Sequence, residues 1–343
     1  MPHHTIVLIP GDGIGPEVAH AAQAVINATG LNIDWIEMPA GEAAIATDGD
    51  TLPEKTLEAI RKHTVGLKGP VGTPIGKGFR SVNVTLRKKL DLYAAVRPVR
   101  NMANIKTRYD NVEIVIFREN TEGLYSGLEN EVTAGVVTSL KVCTEKACER
   151  IARAAFRYAH QRNRKKVTVF HKANIMKLTD GLFIRTAKRI HDEECPDVQY
   201  EEMIIDNGCM QLVKDPTRFD ILLMENLYGD LISDLCAGLV GGLGVVPGAN
   251  IGDHAAVFEA VHGTAPDIAG KNLANPLACI MSGVMMLNHL YDTTHDQACH
   301  DAAEKIKAAY NAVLAEGKSL TRDLGGTAGT KEFTDALIAK IKT

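Results

Sequence analysis

Two aspartates stand four residues apart in NLYGDLISDLCAGLVGGLGVVPGANIGD (226–253), and on a helix the carboxylates of Asp230 and Asp234 share one face. Like charges at that spacing repel, which makes a divalent cation a natural partner. Oxygen-only ligands point to Mg²⁺ or Mn²⁺ rather than zinc. A solvated acidic face is the plainer alternative, and the flanking glycines and apolar residues weigh against it.

A second group is basic. SVNVTLRKKLDLYAAVRPVR (81–100) places Ser81, Asn83 and Arg87 on a short helix and Arg97 at the end of a strand-like run; Arg118 ends another run, VEIVIFREN. Such positions border the crevices at the C-terminal ends of sheet strands, and guanidinium forks bind carboxylates bidentately. One arginine there is commonly structural, whereas three converging on one crevice imply a small polyanion. In FHKANIMK (170–177), Lys172 follows the run KVTVF. A lysine just past a buried strand can be desolvated and serve as a base, although alone it reads as a surface lysine. Tyr125, in FRENTEGLYSG, is available as a proton donor, with a core or surface role as the alternative.

These side chains need elements to hold them. Short β-branched runs, TIVLI (5–9), VEIVIF (112–117), KVTVF (166–170), YEEMIID (200–206) and FDILLM (219–224), alternate with segments of helical period. That alternation predicts an α/β fold with a largely parallel sheet flanked by helices. Helices are expected from about 16, over 53–62 and over 296–316. The chain has 343 residues, 45% hydrophobic and 23% charged, which suits about two domains. It contains no internal repeat and no linker rich in proline or serine.

Net charge is −4, and no basic tract exceeds RNRKK (162–166), so no nucleic-acid partner is expected. No segment approaches the apolar length of a membrane span, so no membrane partner is expected either. Seven cysteines without a CxxC pair read as reduced thiols, and the start, MPHHTIVLIP, lacks the pattern of a cleaved leader. Both features suggest a cytoplasmic location.

LIPGDGIGPEV (8–18) looks like a dinucleotide-binding turn, but Gly11, Gly13 and Gly15 lack the spacing of GxGxxG. Pro16 and Glu17 suit the first turn of a helix instead. A sharp turn is therefore expected there rather than a pyrophosphate cradle.

IPGDGIGPE, RENTEGLYSG, HKAN, NLYGDLISD and HGTAPDIAGKNLANP, in that order, resemble the β-decarboxylating dehydrogenases, the family of isocitrate and isopropylmalate dehydrogenases. The resemblance runs nearly end to end. It implies two α/β domains with a cleft between them, not a classical Rossmann domain. A large domain would comprise 1–98 plus 251–343, and a small one 99–250 would carry the metal site and a strand clasp near 126–143. It implies Asp206, Asp230 and Asp234 as ligands of Mg²⁺ or Mn²⁺, with Asp206 ending its strand. Arg87, Arg97 and Arg118 would clamp carboxylates, Lys172 would help deprotonate the substrate hydroxyl, and Tyr125 would protonate the enol carbon. Lys172, Asn174 and one metal aspartate would reach the site from a second subunit, which implies a homodimer.

Isocitrate-using members carry a serine and an asparagine before the first arginine, as Ser81 and Asn83 stand here, and Lys177 agrees with that choice. A hydroxyl and an amide suit a third carboxylate and would be left unpaired by an isopropyl group. Isocitrate is the expected substrate, with homoisocitrate as runner-up, then an isopropylmalate or tartrate type of enzyme, or a non-catalytic regulatory subunit. The resemblance also places a cofactor along Ile14, Thr73, Glu259, His262, Gly263, Thr264, Ala265, Asp267, Ile268 and Asn275. A carboxylate at Asp267 can accept from both ribose hydroxyls and would repel a 2′-phosphate. NADP-using relatives carry Lys-Tyr at the Asp267–Ile268 pair, and Tyr and Arg in the stretch matching TRDLGG (321–326). NAD is therefore the expected cofactor. Ser81 is also a regulatory phosphorylation site in bacterial relatives, and a phosphate there would place negative charge beside the substrate.

Overall fold

The computed structural model describes residues 3–72 and 81–343. Thr73, expected at the cofactor site, lies outside the described residues. The chain opens with β1 (His4–Ile9), α1 (Gly15–Asn27), β2 (Ile33–Glu37), α2 (Glu42–Asp48), α3 (Glu54–His63), β3 (Val65–Lys68) and α4 (Val82–Lys89). Two strands, β4 (Ala94–Arg100) and β5 (Glu113–Glu119), lead into a hairpin of β6 (Gly123–Thr133) and β7 (Val136–Val142). Then follow α5 (Glu145–Gln161), β8 (Lys166–His171), α6 (Thr179–Glu194), β9 (Gln199–Ile204), α7 (Ile205–Lys214), β10 (Ile221–Met224) and α8 (Asn226–Leu239). The chain ends with β11 (Pro247–Ile251), β12 (Ala256–Ala260), α9 (Leu277–Thr294), α10 (Gln297–Glu316) and α11 (Thr330–Lys342).

Every strand except those of the hairpin joins one sheet, in the order β2-β1-β3-β12-β11-β4-β5-β10-β8-β9. Both wings are parallel. The centre, β12-β11-β4-β5, is antiparallel. Residues 98 and 99 both lie within β4, and 250 and 251 within β11, so the sheet runs unbroken through the positions expected to separate two domains.

Successive side chains on a strand point to opposite faces. On β1, Ile6 and Leu8 pack in a cluster with Val18 and Ala22 of α1, while Val7 and Ile9 join Leu57 and Ile60 of α3 and Leu86 of α4. The same alternation separates apolar from charged residues at the sheet centre. Val96, Phe117, Ala249 and Phe258 point to the face covered by α5 and α9. Their neighbours Arg97 and Arg118 reach α8 on the other face, where Asn250 and Glu259 hydrogen-bond each other.

The opening turn is a packing device. Gly13 has φ +58°, and a Cβ there would lie 2.1 Å from the carbonyl oxygen of Thr264, so only glycine fits. The Ile14 amide donates to that same oxygen at 2.9 Å. Asp12 accepts from the amides of Glu42, Ala43 and Gly72 at 2.9, 2.9 and 2.7 Å, fixing the turn against the start of α2. Asp206 departs from its expected place: β9 ends at Ile204, and Asp206 sits in the first turn of α7. All seven cysteines are unbridged, and no helix among the described residues is long and apolar enough to cross a membrane.

Candidate active site

The front of the sheet centre gathers most of the expected residues. Arg118, 1% exposed, is brought in by β5 and directed at α8. Its Nε and Nη2 donate to Asn226 Oδ1 at 3.0 and 2.7 Å, and its Nη1 donates to Asp230. This approach needs Gly229, because a Cβ there would lie 2.5 Å from Cβ of Arg118. Arg97, from β4, donates to Ser233 Oγ at 2.5 Å and to Asp234 Oδ1 at 3.4 Å, with Asp230 at 3.7 Å. The Tyr125 hydroxyl donates to the other oxygen of Asp230, and its ring lies 5.1 Å from the Arg118 guanidinium.

On the same face lies a buried ion cluster that no local sequence pattern marks as a whole. Lys68, 1% exposed at the end of β3, pairs with Glu259 at 2.6 Å; Arg87 reaches the same carboxylate at 3.2 Å and Asn250 at 2.7 Å. Glu259, expected beside the cofactor, is thus occupied by three donors. Lys68 ends a buried strand just as Lys172 does, so the rule applied to Lys172 would have found it. Asn226 precedes Asp230 by one helical turn, the same spacing that drew attention to the aspartate pair. Ser233 and Asn250 carried no comparable signal.

Electrostatics at this face follow from crowding. Burial and the neighbouring Arg87 lower the pKa of Arg97; burial, Arg97 and Arg87 lower that of Arg118. Charges so arranged favour a bound polyanion. Burial raises Asp230, but Arg118 and Tyr125 outweigh it, and the carboxyl sits below its ordinary value. Asp234 is raised by burial despite Arg97, with Asp230 adding to the rise. Burial and the hydrogen bond to Asp230 raise Tyr125, keeping the phenol protonated. Asn83 Oδ1, Arg87 Nε and His262 Nε2 are buried without a hydrogen-bond partner among the described residues, and their side chains line one pocket. Unsatisfied polar atoms converging on a cavity mark a place for a polar ligand.

Lys172 lies elsewhere. Its Nζ pairs with Asp206 at 2.5 Å, with side chains 28% and 68% exposed, so in a single chain Lys172 is half-buried and faces an exposed carboxylate. The amide of Lys172 donates to buried Asp180 at 2.7 Å, and Asn174 is exposed. Among the described residues, trios of close ligand atoms occur at His4, Asp296 and Cys299 and at Glu122, Cys143 and Cys148. Asp206, Asp230 and Asp234 do not form one within the chain. Large apolar side chains are exposed on the hairpin (Leu128, Val132, Val137 and Leu140), after Lys172 in the chain (Ile175 and Leu178) and on α7 (Met210 and Val213).

The expected cofactor residues 262–268 form a loop over the opening turn. Ala265 has φ +38°, and Asp267 lies in a short 3₁₀ turn, Pro266–Ile268, with its carboxylate exposed and unpaired among the described residues. Gly263 and Ala265 are exposed, Thr264 and Ile268 half-buried. Ile14 is buried beneath them. Asn275 uses both ends of its amide internally, donating to Asp323 at 2.9 Å and accepting from the Leu277 amide at 2.9 Å. Asp323 thereby ties the TRDLGG stretch to this loop. A Cβ at Gly326 would lie 2.0 Å from the Leu320 carbonyl oxygen, leaving no room for a side chain there.

A family model described as isocitrate/isopropylmalate dehydrogenase matches residues 5–337. The chain is 53% identical over 334 residues to the Arabidopsis thaliana protein named isocitrate dehydrogenase (NAD) catalytic subunit 5, mitochondrial, covering 97% of this chain and 87% of that protein. It is 49% identical over 337 residues to a mitochondrial isocitrate dehydrogenase (NAD) regulatory subunit of Dictyostelium discoideum, covering 98% and 91%. The crystal structure of isocitrate dehydrogenase from Methylococcus capsulatus superimposes with a TM-score of 0.93 at 47% identity, over 99% of this chain and all of that one. The mitochondrial names overturn the expected cytoplasmic location. Unbridged cysteines do not specify a compartment, since thiols stay reduced in more than one.

Proposed function

The chain belongs to the isocitrate/isopropylmalate dehydrogenase family, and from that premise we propose that it oxidises isocitrate with NAD and decarboxylates the product to 2-oxoglutarate and CO₂. The observation that carries this reading is the convergence of Arg87, Arg97 and Arg118 on one buried face beside Asp230 and Asp234. Three guanidinium groups match a tricarboxylate. Ser81 and Asn83 stand on α4 beside Arg87, and the unpaired Asn83 Oδ1 shows that the side chain still has hydrogen-bonding capacity.

The aspartates are oxygen donors suited to Mg²⁺ or Mn²⁺, with Asp230 and Asp234 on one chain and Asp206 of the partner subunit completing the set. When bound, the ion supplies Lewis acidity at the substrate hydroxyl and carboxylate, and NAD accepts the hydride. The free carboxylate of Asp267 and the buried, unpaired Nε2 of His262 are the features that fit a dinucleotide. The arginines orient the carboxylates, Lys172 takes the hydroxyl proton, and Tyr125, held protonated, delivers a proton to the enol carbon after CO₂ departs.

The same geometry supports a homodimer with shared sites. A two-stranded hairpin with exposed apolar residues is marginal unless covered, and the segments that carry Lys172 and Asp206 also expose apolar side chains. Residues 1–98 plus 251–343 and 99–250 would then be the two domains flanking the cleft. Because one relative is named a regulatory subunit, the purified chain alone is the sample to assay. It is expected to turn over isocitrate with NAD and Mg²⁺ faster than with NADP, and faster than homoisocitrate or isopropylmalate. Inactivity alone, or a higher kcat/KM for another acid, would overturn the reading.

Ser81 caps α4, its Oγ accepting from the Val84 amide at 3.4 Å. Aspartate caps a helix as well as serine does, so Ser81→Asp isolates the effect of charge. The expected result is a rise in isocitrate KM of about tenfold or more with an unchanged melting temperature. An unchanged KM would argue against a regulatory role for this position.

A further inference from the structure

The back of the sheet centre holds a cavity of about 410 Å³ that the proposed reaction does not use. Its floor is Val96, Phe117, Ala249 and Phe258. These are the neighbours in sequence of Arg97, Arg118, Asn250 and Glu259 on the front face. One wall is α5, through Ala154 and Tyr158, and the other is α9, through Met285 and His289. Tyr158 meets Phe117 edge-on at 5.2 Å, and His289 lies 5.5 Å from Phe258, so both walls pack on floor residues. The volume lies in the range of small-molecule sites.

Charge at the rim specifies the ligand further. Arg162 on the α5 side is neutralised by Asp292 of α9 at 2.6 Å. Burial lowers the pKa of His289, outweighing the nearby Asp292, and leaves the imidazole neutral. Arg157 is exposed and forms no ion pair among the described residues, so one cation is left over. We propose that this cavity is a second ligand site, for a small molecule with a flat apolar body and a single anionic group, seated between α5 and α9 with the anion at Arg157. An occupant packs against the strands that carry Arg97 and Arg118 and braces the backbone from which those arginines converge. Occupancy therefore strengthens isocitrate binding, a coupling that rests on the isocitrate reading.

Anilinonaphthalene sulfonate has this chemistry, and its fluorescence titration on the assembled full chain tests the site. The expected result is binding that persists under saturating NAD and isocitrate, and that weakens about tenfold in Arg157→Glu and in Ala154→Trp, which fills the cavity. Displacement by NAD or isocitrate would place the probe in the front cleft and overturn the proposal. Equal binding to wild type and Arg157→Glu, which leaves the core untouched, would overturn it as well, as would no binding. The probe should also lower the isocitrate KM of wild type about threefold without doing so in Arg157→Glu, and an unchanged or raised KM would overturn the coupling. The binding measurements decide the site itself whether or not isocitrate is the substrate.

Discussion

Replacing Lys172 by alanine is expected to lower kcat by about 10²–10⁴-fold, the usual contribution of a positioned proton-transfer group, with little change in isocitrate KM. The side chain is half-buried and its ion-pair partner, Asp206, is exposed, so its loss should leave the melting temperature nearly unchanged. Steady-state kinetics and a thermal melt on the same preparation check both halves. The more informative form of the experiment uses two variants. Lys172 and Asp206 lie apart from the arginines and from Asp230 and Asp234 within one chain. In a shared site, Lys172→Ala and Asp230→Asn therefore damage opposite halves. Co-expressed in equal amounts, the two inactive variants should recover about a quarter of the wild-type rate, because each mixed dimer keeps one intact site. Recovery of no activity would mean that each chain builds its site alone, and the homodimer reading would fall.

The second large effect concerns stability. Glu259 is buried, and burial alone would push its carboxyl up, yet Lys68 and Arg87 hold it far below its ordinary value of 4.5. Glu259→Ala leaves Lys68 and Arg87 buried without their counter-ion. Breaking a buried pair from one side costs about 3–5 kcal/mol. For a chain of this size that corresponds to a fall in Tm of roughly 4–7 °C at neutral pH. A carboxyl depressed in the folded state contributes stability that is present above its unfolded pKa and is lost as pH falls through the folded one. Wild-type Tm should therefore drop on acidification below about pH 4.5. Glu259→Gln, which keeps the shape and removes the charge, should show a flatter acid limb together with a lower Tm at pH 7. A wild-type Tm in either variant would show that the cluster does not carry this stability.

Much of the candidate site was legible because its chemistry is local. Asp230 and Asp234 needed only the helical repeat, and α8 supplies it. Arg118 stands one residue from the end of β5, near its expected place, whereas Arg97, expected at a strand end, lies midway along β4, which runs on to Arg100; the alternation of side chains still brings both to the same face. The opening turn also read correctly as a turn, since the spacing of its glycines fails for a pyrophosphate cradle, and Gly13 proves to be required by contact with Thr264. Other features were not legible because they depend on distant residues meeting. Lys68 and Glu259 are 191 positions apart in the chain and meet only because β3 and β12 are neighbours in the sheet. Asp206 lies one element beyond its expected place, because YEEMIID has the composition of a strand to its end while the backbone turns into α7 after Ile204.

By itself the sequence determined the family, the alternation of strands and helices, and the residue types available for binding a polyanion and a hard cation. These follow from short-range periodicity and from motifs that keep reactive groups at set spacings. Only the tertiary structure decided which of those groups share a face, and that Lys172 and Asp206 stand apart from the arginines in a single chain. It also revealed that the apolar partners of Arg97 and Arg118 line a separate cavity behind them. The physical reason is that side chains alternate across a sheet, so each strand contributes to two surfaces, and what assembles on either surface depends on which strands lie side by side.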